Sequence, residues 1–172
     1  MDDAVRTDQL TKRYSASITA VDHLDLQVGA GEIYGFLGPN GAGKTTTLRM
    51  LVGLITPTSG VATVMGHRPG EPAGLAEIGA LIETPAFYPY LSGRENLLVL
   101  ARLSGTPPAR IDAVLEQVGL AARGGDKFKR YSLGMKQRLG VGAALLKDPS
   151  FLILDEPTNG LDPRCRVSTA RT

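Results

Sequence analysis

Apolar and polar positions follow two periods along this chain, and the elements change where the period changes. Leu24, Leu26 and Val28 alternate with Asp25 and Gln27, the two-residue period of a half-buried strand. Residues 5–14 read as an edge strand that ends in Lys12-Arg13-Tyr14, so the first 30 residues predict an antiparallel layer beside a parallel core. Ala30-Gly31-Glu32 turns the chain into Ile33-Tyr34-Gly35-Phe36-Leu37, a short apolar run that predicts a buried strand. From Thr45 to Ile55 the period becomes helical, with Leu48, Leu51, Val52 and Ile55 on one face. Thr56-Pro57-Thr58-Ser59-Gly60 breaks that helix, because proline cannot continue the ladder and glycine permits reversal. Val61 to Val64 predicts a strand, Gly66 to Gly74 a loop, and Ile78 to Ile82 a second buried strand ending at Glu83.

The second half reads as mainly helical. Ser92 and Glu95 have the spacing of a capping box and open a helix with Leu97, Leu98 and Ala101 on its apolar side. Pro107-Pro108 starts another, in which Ile111, Val114, Leu115 and Val118 recur at helical spacing until Gly119. Ser132 is placed to cap a third, running through Leu139, Ala143 and Leu146 to Asp148-Pro149. So long a helical stretch between the strands at 78–82 and 151–154 exceeds one crossover and predicts an inserted helical subdomain. Phe151-Leu152-Ile153-Leu154 is a continuous apolar run, as expected of a parallel strand covered on both faces. Thr84 to Leu91 concentrates Phe87, Tyr88 and Tyr90 with Pro85 and Pro89; a docking lobe and a core corner fit this equally.

Composition narrows the class. With 172 residues, 42% apolar and 21% charged, the chain has the makeup of one globular domain. No apolar run approaches the length of about 18 residues that a membrane span needs, and the start does not resemble a signal peptide, so a cytoplasmic location is expected. Net charge is +2 from 19 basic and 17 acidic residues, without the basic block that advertises nucleic acid. Cys165 is the only cysteine, which excludes an internal disulfide. His23 and His67 read as surface residues, and no metal site is expected of them.

The chemistry concentrates at Gly38-Pro39-Asn40-Gly41-Ala42-Gly43-Lys44-Thr45. Glycine lets backbone amides wrap a phosphate, Lys44 is a mobile cation for the β- and γ-phosphates, and Thr45 supplies a hydroxyl for Mg²⁺. The following helix would present N–H groups and a positive dipole end to the anion, Thr46 included. The apolar strand at 151–154 ends in Asp155-Glu156, where ligands of open α/β sheets gather. Asp155 is the candidate metal-side carboxylate and Glu156 the candidate base for an attacking water. Such a pair also suits a solvated strand end, but not with a phosphate loop upstream. Tyr14 alone reads either as a surface tyrosine or as a ring stacked on adenine.

Three motifs together carry a resemblance: the loop at 38–45, Tyr-Ser-Leu-Gly-Met-Lys-Gln-Arg at 131–138, and Asp-Glu-Pro-Thr-Asn-Gly-Leu-Asp-Pro at 155–163. The chain resembles the nucleotide-binding domain of ATP-binding cassette transporters over residues 5–163, most of all the bacterial bacitracin-type, lantibiotic and multidrug exporter subunits. The resemblance implies a P-loop, RecA-like α/β core with an N-terminal antiparallel layer. It divides the domain into 1–85 with 149–172 as layer and core, and 86–148 as the helical signature subdomain. It implies ATP and Mg²⁺ as cofactors, Tyr14 on adenine, residues 38–46 around the phosphates, and Ser132 and Gly134 against the γ-phosphate held by a second such domain paired head to tail. Leu161-Asp162 would communicate between the two sites. Glu83 stands where relatives usually carry a glutamine that contacts Mg²⁺, and Phe87 to Leu91 would border the groove for a membrane permease. Leu133 and Met135 depart from the commoner glycine and glutamine of the signature. The implied function is an ATPase driving antibiotic or peptide efflux, peripheral on the inner face of the membrane and without nucleic acid as partner; a soluble relative acting in translation or DNA maintenance is the alternative.

Relatives continue beyond Thr172 through a further strand and a switch histidine, and residues 163–172 show no amphipathic period. The expectation is therefore a fold incomplete at its C-terminus, a truncated and nonfunctional fragment being the extreme case. The resemblance implies that this strand lies between 33–37 and 151–154, so that without it both would lose a ladder partner and expose apolar surface, which predicts marginal stability and poor hydrolysis.

Overall fold

The structure, a computed structural model, describes residues 3–83 and 86–156. Leu161-Asp162, Cys165 and the segment 163–172 lie outside the described residues. Two compact units follow one another along the chain, one to Ile78 and one from Gly79.

The first unit is built on a sheet of β1 (Asp3–Ser15), β2 (Ile18–Gly29) and β3 (Ser59–Val64), in the order β2-β1-β3 with both pairings antiparallel. The expected layer is present, but β1 is its middle strand rather than an edge. The same run of β1 pairs on both sides, Thr7 opposite Leu26 of β2 and opposite Ala62 of β3. The β1–β2 ladder slips between Thr7 and Leu10, and side chains close the gap. Buried Thr7 donates to the Leu24 carbonyl and accepts from the Leu26 N–H, both at 2.8 Å. Helix α1 (Lys44–Leu51) packs on β2 and β3, burying Thr47, Met50 and Leu51. It is shorter than the apolar period predicted, because positive-φ Gly53 follows it closely. A short helix α2 (Pro72–Glu77) replaces part of the loop expected over 66–74, with Pro72 at its start.

Residues 33–37 are not a strand. They have no ladder partner among the described strands, and Ile33 and Leu37 are 89% and 93% exposed. An apolar run supplies the side chains of a buried strand but not the neighbour whose hydrogen bonds define one.

Strand β4 (Ile78–Leu81) pairs with β5 (Phe151–Leu154), and between them in sequence lie α3 (Gly93–Ser104), α4 (Arg110–Gln117) and α5 (Leu133–Leu145). The capping box of α3 forms as expected: the Ser92 hydroxyl accepts from the Glu95 N–H at 3.1 Å, and the Glu95 carboxylate accepts from the Ser92 N–H at 2.6 Å. These hydrogen bonds to the ionised form hold the Glu95 carboxyl below its usual range. Leu97, Ala101, Ile111, Val114, Leu115, Phe128, Tyr131 and Leu139 close one helical core, and each fully buried Leu or Ile contributes roughly 1.5–3 kcal/mol. β4 approaches α5 so closely that a Cβ on Gly79 would overlap the Ala144 carbonyl and stand 2.8 Å from Pro149. The two-sided burial expected of β5 is not found: Ile153 is 4% exposed and Leu152 38%. With only β4 paired to it among the described strands, one face alone is covered.

Tyr131 ties the entry of α5 to the rest of this core. Its hydroxyl donates to the Arg123 carbonyl at 2.8 Å and fills the space a Cβ on Gly93 would need. Burial, reinforced by the Asp126 charge, raises its pKa above the ordinary 10.0. The neutral phenol is thus favoured in the folded state, and its contribution is complete below the unfolded tyrosine range and lost as pH rises through it. In urea unfolding, Tyr131→Phe is expected to cost about 1 kcal/mol at pH 7. It should also flatten the decline of stability that the native chain shows above about pH 10.

Candidate functional site

The phosphate loop belongs to the first unit. Gly41 and Gly43 both take φ of +83°, in the left-handed region that glycine enters without cost from a Cβ. Ala42 N–H donates to the Pro39 carbonyl at 3.2 Å, which tightens the loop. Gly43 ends it, and its carbonyl accepts from both the Thr47 N–H at 2.8 Å and the Thr47 hydroxyl at 3.0 Å. Helix α1 therefore starts at Lys44 with no acidic residue in its first turn. The N–H groups of a first turn have no acceptor inside the helix, and they face an anion favourably. Lys44 turns its ammonium back onto the loop, donating to the carbonyls of Gly38 at 2.7 Å and Pro39 at 2.9 Å. Lysine, loop amides and helix start are thus gathered as the sequence implied, although the strand expected before them is not formed.

The loop is located by β2. A Cβ on Gly43 would overlap the Ala20 carbonyl and lie 3.1 Å from Val21 Cγ2. Ala20 follows Thr19, which pairs with Arg13 of β1, so Tyr14 and the loop share one end of the β1–β2 ribbon. Tyr14 is 53% exposed, and the Lys12 ammonium lies over its ring 5.4 Å from the centre. Neither Ala20 nor Val21 was singled out from sequence; nothing local marks a carbonyl that must meet a glycine far along the chain.

The carboxylates belong to the second unit. Glu83 lies two positions beyond β4 and Glu156 two beyond β5, with φ of +68° and +46°. The Asp155 N–H donates to the Leu81 carbonyl at 2.8 Å, so the two strand ends stand side by side. Ser132 is the N-cap of α5, its hydroxyl accepting from the Met135 N–H at 3.3 Å, and Leu133 beside it is 64% exposed. Gly134 is partly exposed in the same first turn. A capping hydroxyl keeps its own proton, so Ser132 remains able to donate to an anion. From the same helix Gln137, 8% exposed, donates to the Glu156 carbonyl at 3.4 Å. Sequence reading gave Gln137 no role; the available signal was a polar side chain close to Leu139 and Gly140, both buried.

The residues present fit a nucleoside triphosphate with a hard cation. In the first unit left-handed Gly41 and Gly43 shape the loop and Thr45 carries a hydroxyl behind it; in the second, Asp155 and Glu83 carry carboxylates of the kind Mg²⁺ takes. The loop and its helix define a P-loop nucleotide-binding protein, with an antiparallel N-terminal sheet and inserted helices. A sequence family described as ABC transporter matches residues 21–159, and the chain belongs to that family. It is 51% identical over 166 residues to the bacitracin transport ATP-binding protein BcrA of Bacillus licheniformis, covering 95% of this chain and 54% of that protein. It is 40% identical over 159 residues to the lantibiotic transport ATP-binding protein SrtF of Streptococcus pyogenes, covering 92% and 69%. A solved ATP-binding subunit of an ABC transporter superposes with a TM-score of 0.81 at 28% identity, over 96% of this chain and 71% of that one. The chain spans about half the length of the first curated relatives it matches. No helix among the described residues is long and apolar enough to cross a membrane.

Gly43→Ala tests how the loop is held. It forces a Cβ both into left-handed backbone and against the Ala20 carbonyl. The expected result is a loss of about 2 kcal/mol or more in urea unfolding together with loss of Mg-ATP binding by fluorescent-nucleotide titration. Gly31→Ala has the same kind of backbone but open space around the Cβ, and should cost about 1 kcal/mol while binding persists.

Proposed function

We propose that the chain is the ATP-binding and hydrolysing portion of a bacterial exporter subunit for antibiotics or peptides. The observation that carries this reading is the loop itself, with left-handed Gly41 and Gly43, the Lys44 ammonium turned onto the loop carbonyls, and a helix opening directly behind. The bacitracin and lantibiotic transport names of its relatives support the cargo class.

In this reading Tyr14 stacks on the adenine. The loop from Gly38 through Pro39, Asn40, Gly41, Ala42 and Gly43, with Lys44, Thr45 and Thr46, surrounds the phosphates. Lys44 exchanges two carbonyl partners for phosphate oxygens, trading neutral acceptors for charged ones. Thr45, Asp155 and Glu83 are the metal donors; Mg²⁺ when bound neutralises charge on the β- and γ-phosphates. Glu156 orients water in line with the γ-phosphorus and takes its proton. Ser132 donates its free hydroxyl proton, and Gly134 its N–H, to the nucleotide of a second nucleotide-binding domain. A membrane permease is the other partner, which places the subunit peripherally on the inner face of the membrane.

Mg-ATP binding and phosphate release test the proposal. Lys44→Ala should weaken binding roughly 100-fold, the scale of one lost charge-assisted contact set. Glu156→Gln should leave affinity within about threefold and lower turnover by about 10²–10⁴. Nucleotide binding that survives Lys44→Ala unchanged would overturn the assignment of the loop.

A further inference from the structure

Tyr14 stands near the end of β1, past the last rung that β3 provides. On that side the ladder closes with Thr11 opposite Ser59. Side chains and loop backbone carry it further. The Thr58 N–H donates to the Thr11 carbonyl at 2.8 Å. The Thr58 hydroxyl accepts from the Arg13 N–H at 3.0 Å and donates to the Arg13 carbonyl at 3.3 Å. A hydroxyl can accept and donate at once, so one side chain stands in for a strand neighbour on both backbone groups of the residue before Tyr14.

Lys12 makes a second tie to the same segment. Its ammonium donates to the Thr56 carbonyl at 2.6 Å while lying over the Tyr14 ring. The two-residue period of a strand sets positions 12 and 14 on one face, which is what lets a single ammonium reach both partners. A lysine free in water samples many rotamers, whereas one donating to a backbone carbonyl becomes a fixed charge. Pro57 stands between the two threonines, and its locked φ limits how far their relative placement can drift. A fixed cation over one face of a ring restrains that ring and leaves stacking to the other face.

We propose that Lys12 and Thr58 are positioning residues for the base: residues 56–58 hold the end of β1 through Thr58 and the Tyr14 ring through Lys12, and adenine settles on the face opposite the ammonium. The inference rests on the reading of Tyr14 as the adenine-stacking ring. A ring already held has little freedom left to lose when a base lands on it, and the ordering of one side chain is worth several-fold in affinity. Lys12 takes no phosphate in this arrangement; the anion belongs to Lys44 and the loop amides. Helix α1 opens from the phosphate loop and its chain runs on into residues 56–58, so one stretch, 38–58, sets both the phosphate cradle and the base platform.

The test is competition against a fluorescent nucleotide on the 172-residue chain, with Mg-ATP and Mg-tripolyphosphate, an anion without a base, as the competitors. Lys12→Met keeps the stem and removes the charge; it should weaken Mg-ATP about fivefold and leave tripolyphosphate unchanged. Lys12→Arg can donate to the same carbonyl and lie on the same ring, and should restore the native affinity. Thr58→Val should act as Lys12→Met does, and Thr58→Ser should not. In a Tyr14→Ala background, Lys12→Met should have no further effect, because its action passes through the ring. Mg-ATP affinity that is unchanged or raised by Lys12→Met overturns the inference. So does an equal loss for tripolyphosphate, which would make Lys12 a cation for the anion, or a loss that persists without Tyr14. Tyr14→Ala alone tells this failure from failure of the reading beneath it. If Tyr14→Ala weakens Mg-ATP relative to tripolyphosphate and Lys12→Met does not, the ring keeps its base and only the positioning role falls; if Tyr14→Ala leaves that ratio unchanged, both fall.

Discussion

The contact on which the nucleotide loop depends is a backbone one, Gly43 against the Ala20 carbonyl. A phosphate loop works only if its amides are already aimed, because each must give up water to meet the anion. Here the aim comes from β2, which is stitched in turn to β1 by Thr7 and by the Gln9–Asp25 hydrogen bonds. The second unit repeats the device at Gly79, whose missing side chain admits the Ala144 carbonyl at the end of α5. In both places a glycine lets one backbone approach another, and Gly43 supplies left-handed backbone as well.

Helix α5 shows how little of a functional element amphipathic pattern can reveal. Its sequence, Leu-Gly-Met-Lys-Gln-Arg-Leu-Gly-Val-Gly-Ala-Ala-Leu, is glycine-rich and buries residues on more than one face. Its position rests on local polar bonds instead. Ser132 caps the start, Arg138 reaches the carbonyl of Gly119, and Gln137 reaches that of Glu156. One helix thus carries the Ser132 hydroxyl at its tip and braces the peptide group of Glu156 about a turn and a half further on.

What was legible in the sequence was what is local. The capping box at Ser92, the apolar stripe of α4 and the loop from Gly38 to Thr45 are each written in adjacent residues, and each forms as read. The strand state of Ile33 to Leu37, the central place of β1 and the single covered face of β5 were not legible, because each depends on which other strand pairs alongside. Alternation says which side chains want burial; it does not say what will cover them. The same limit hid Ala20 and Gln137, which act through partners distant in sequence.

Backbone conformation singles out the two glutamates more sharply than the motifs do. Among the described residues, the non-glycine positions at positive φ are Gln9, His23, Met65, Glu83, Asp148 and Glu156. Gln9 and His23 sit where the β1–β2 ladder slips, with Asp25 and Thr11 bonding their N–H groups. Met65 closes the turn after β3 through its bond to the Ala4 carbonyl, and Asp148 pairs with Arg110. Glu83 and Glu156 each lie two positions past one of two paired strands. A turn that needed only left-handed backbone would be served by glycine, which this chain uses freely at such positions. Keeping a glutamate there costs of order 1 kcal/mol. Both positions lie at the carboxyl edge of the β4–β5 pair, where ligands of α/β sheets are met.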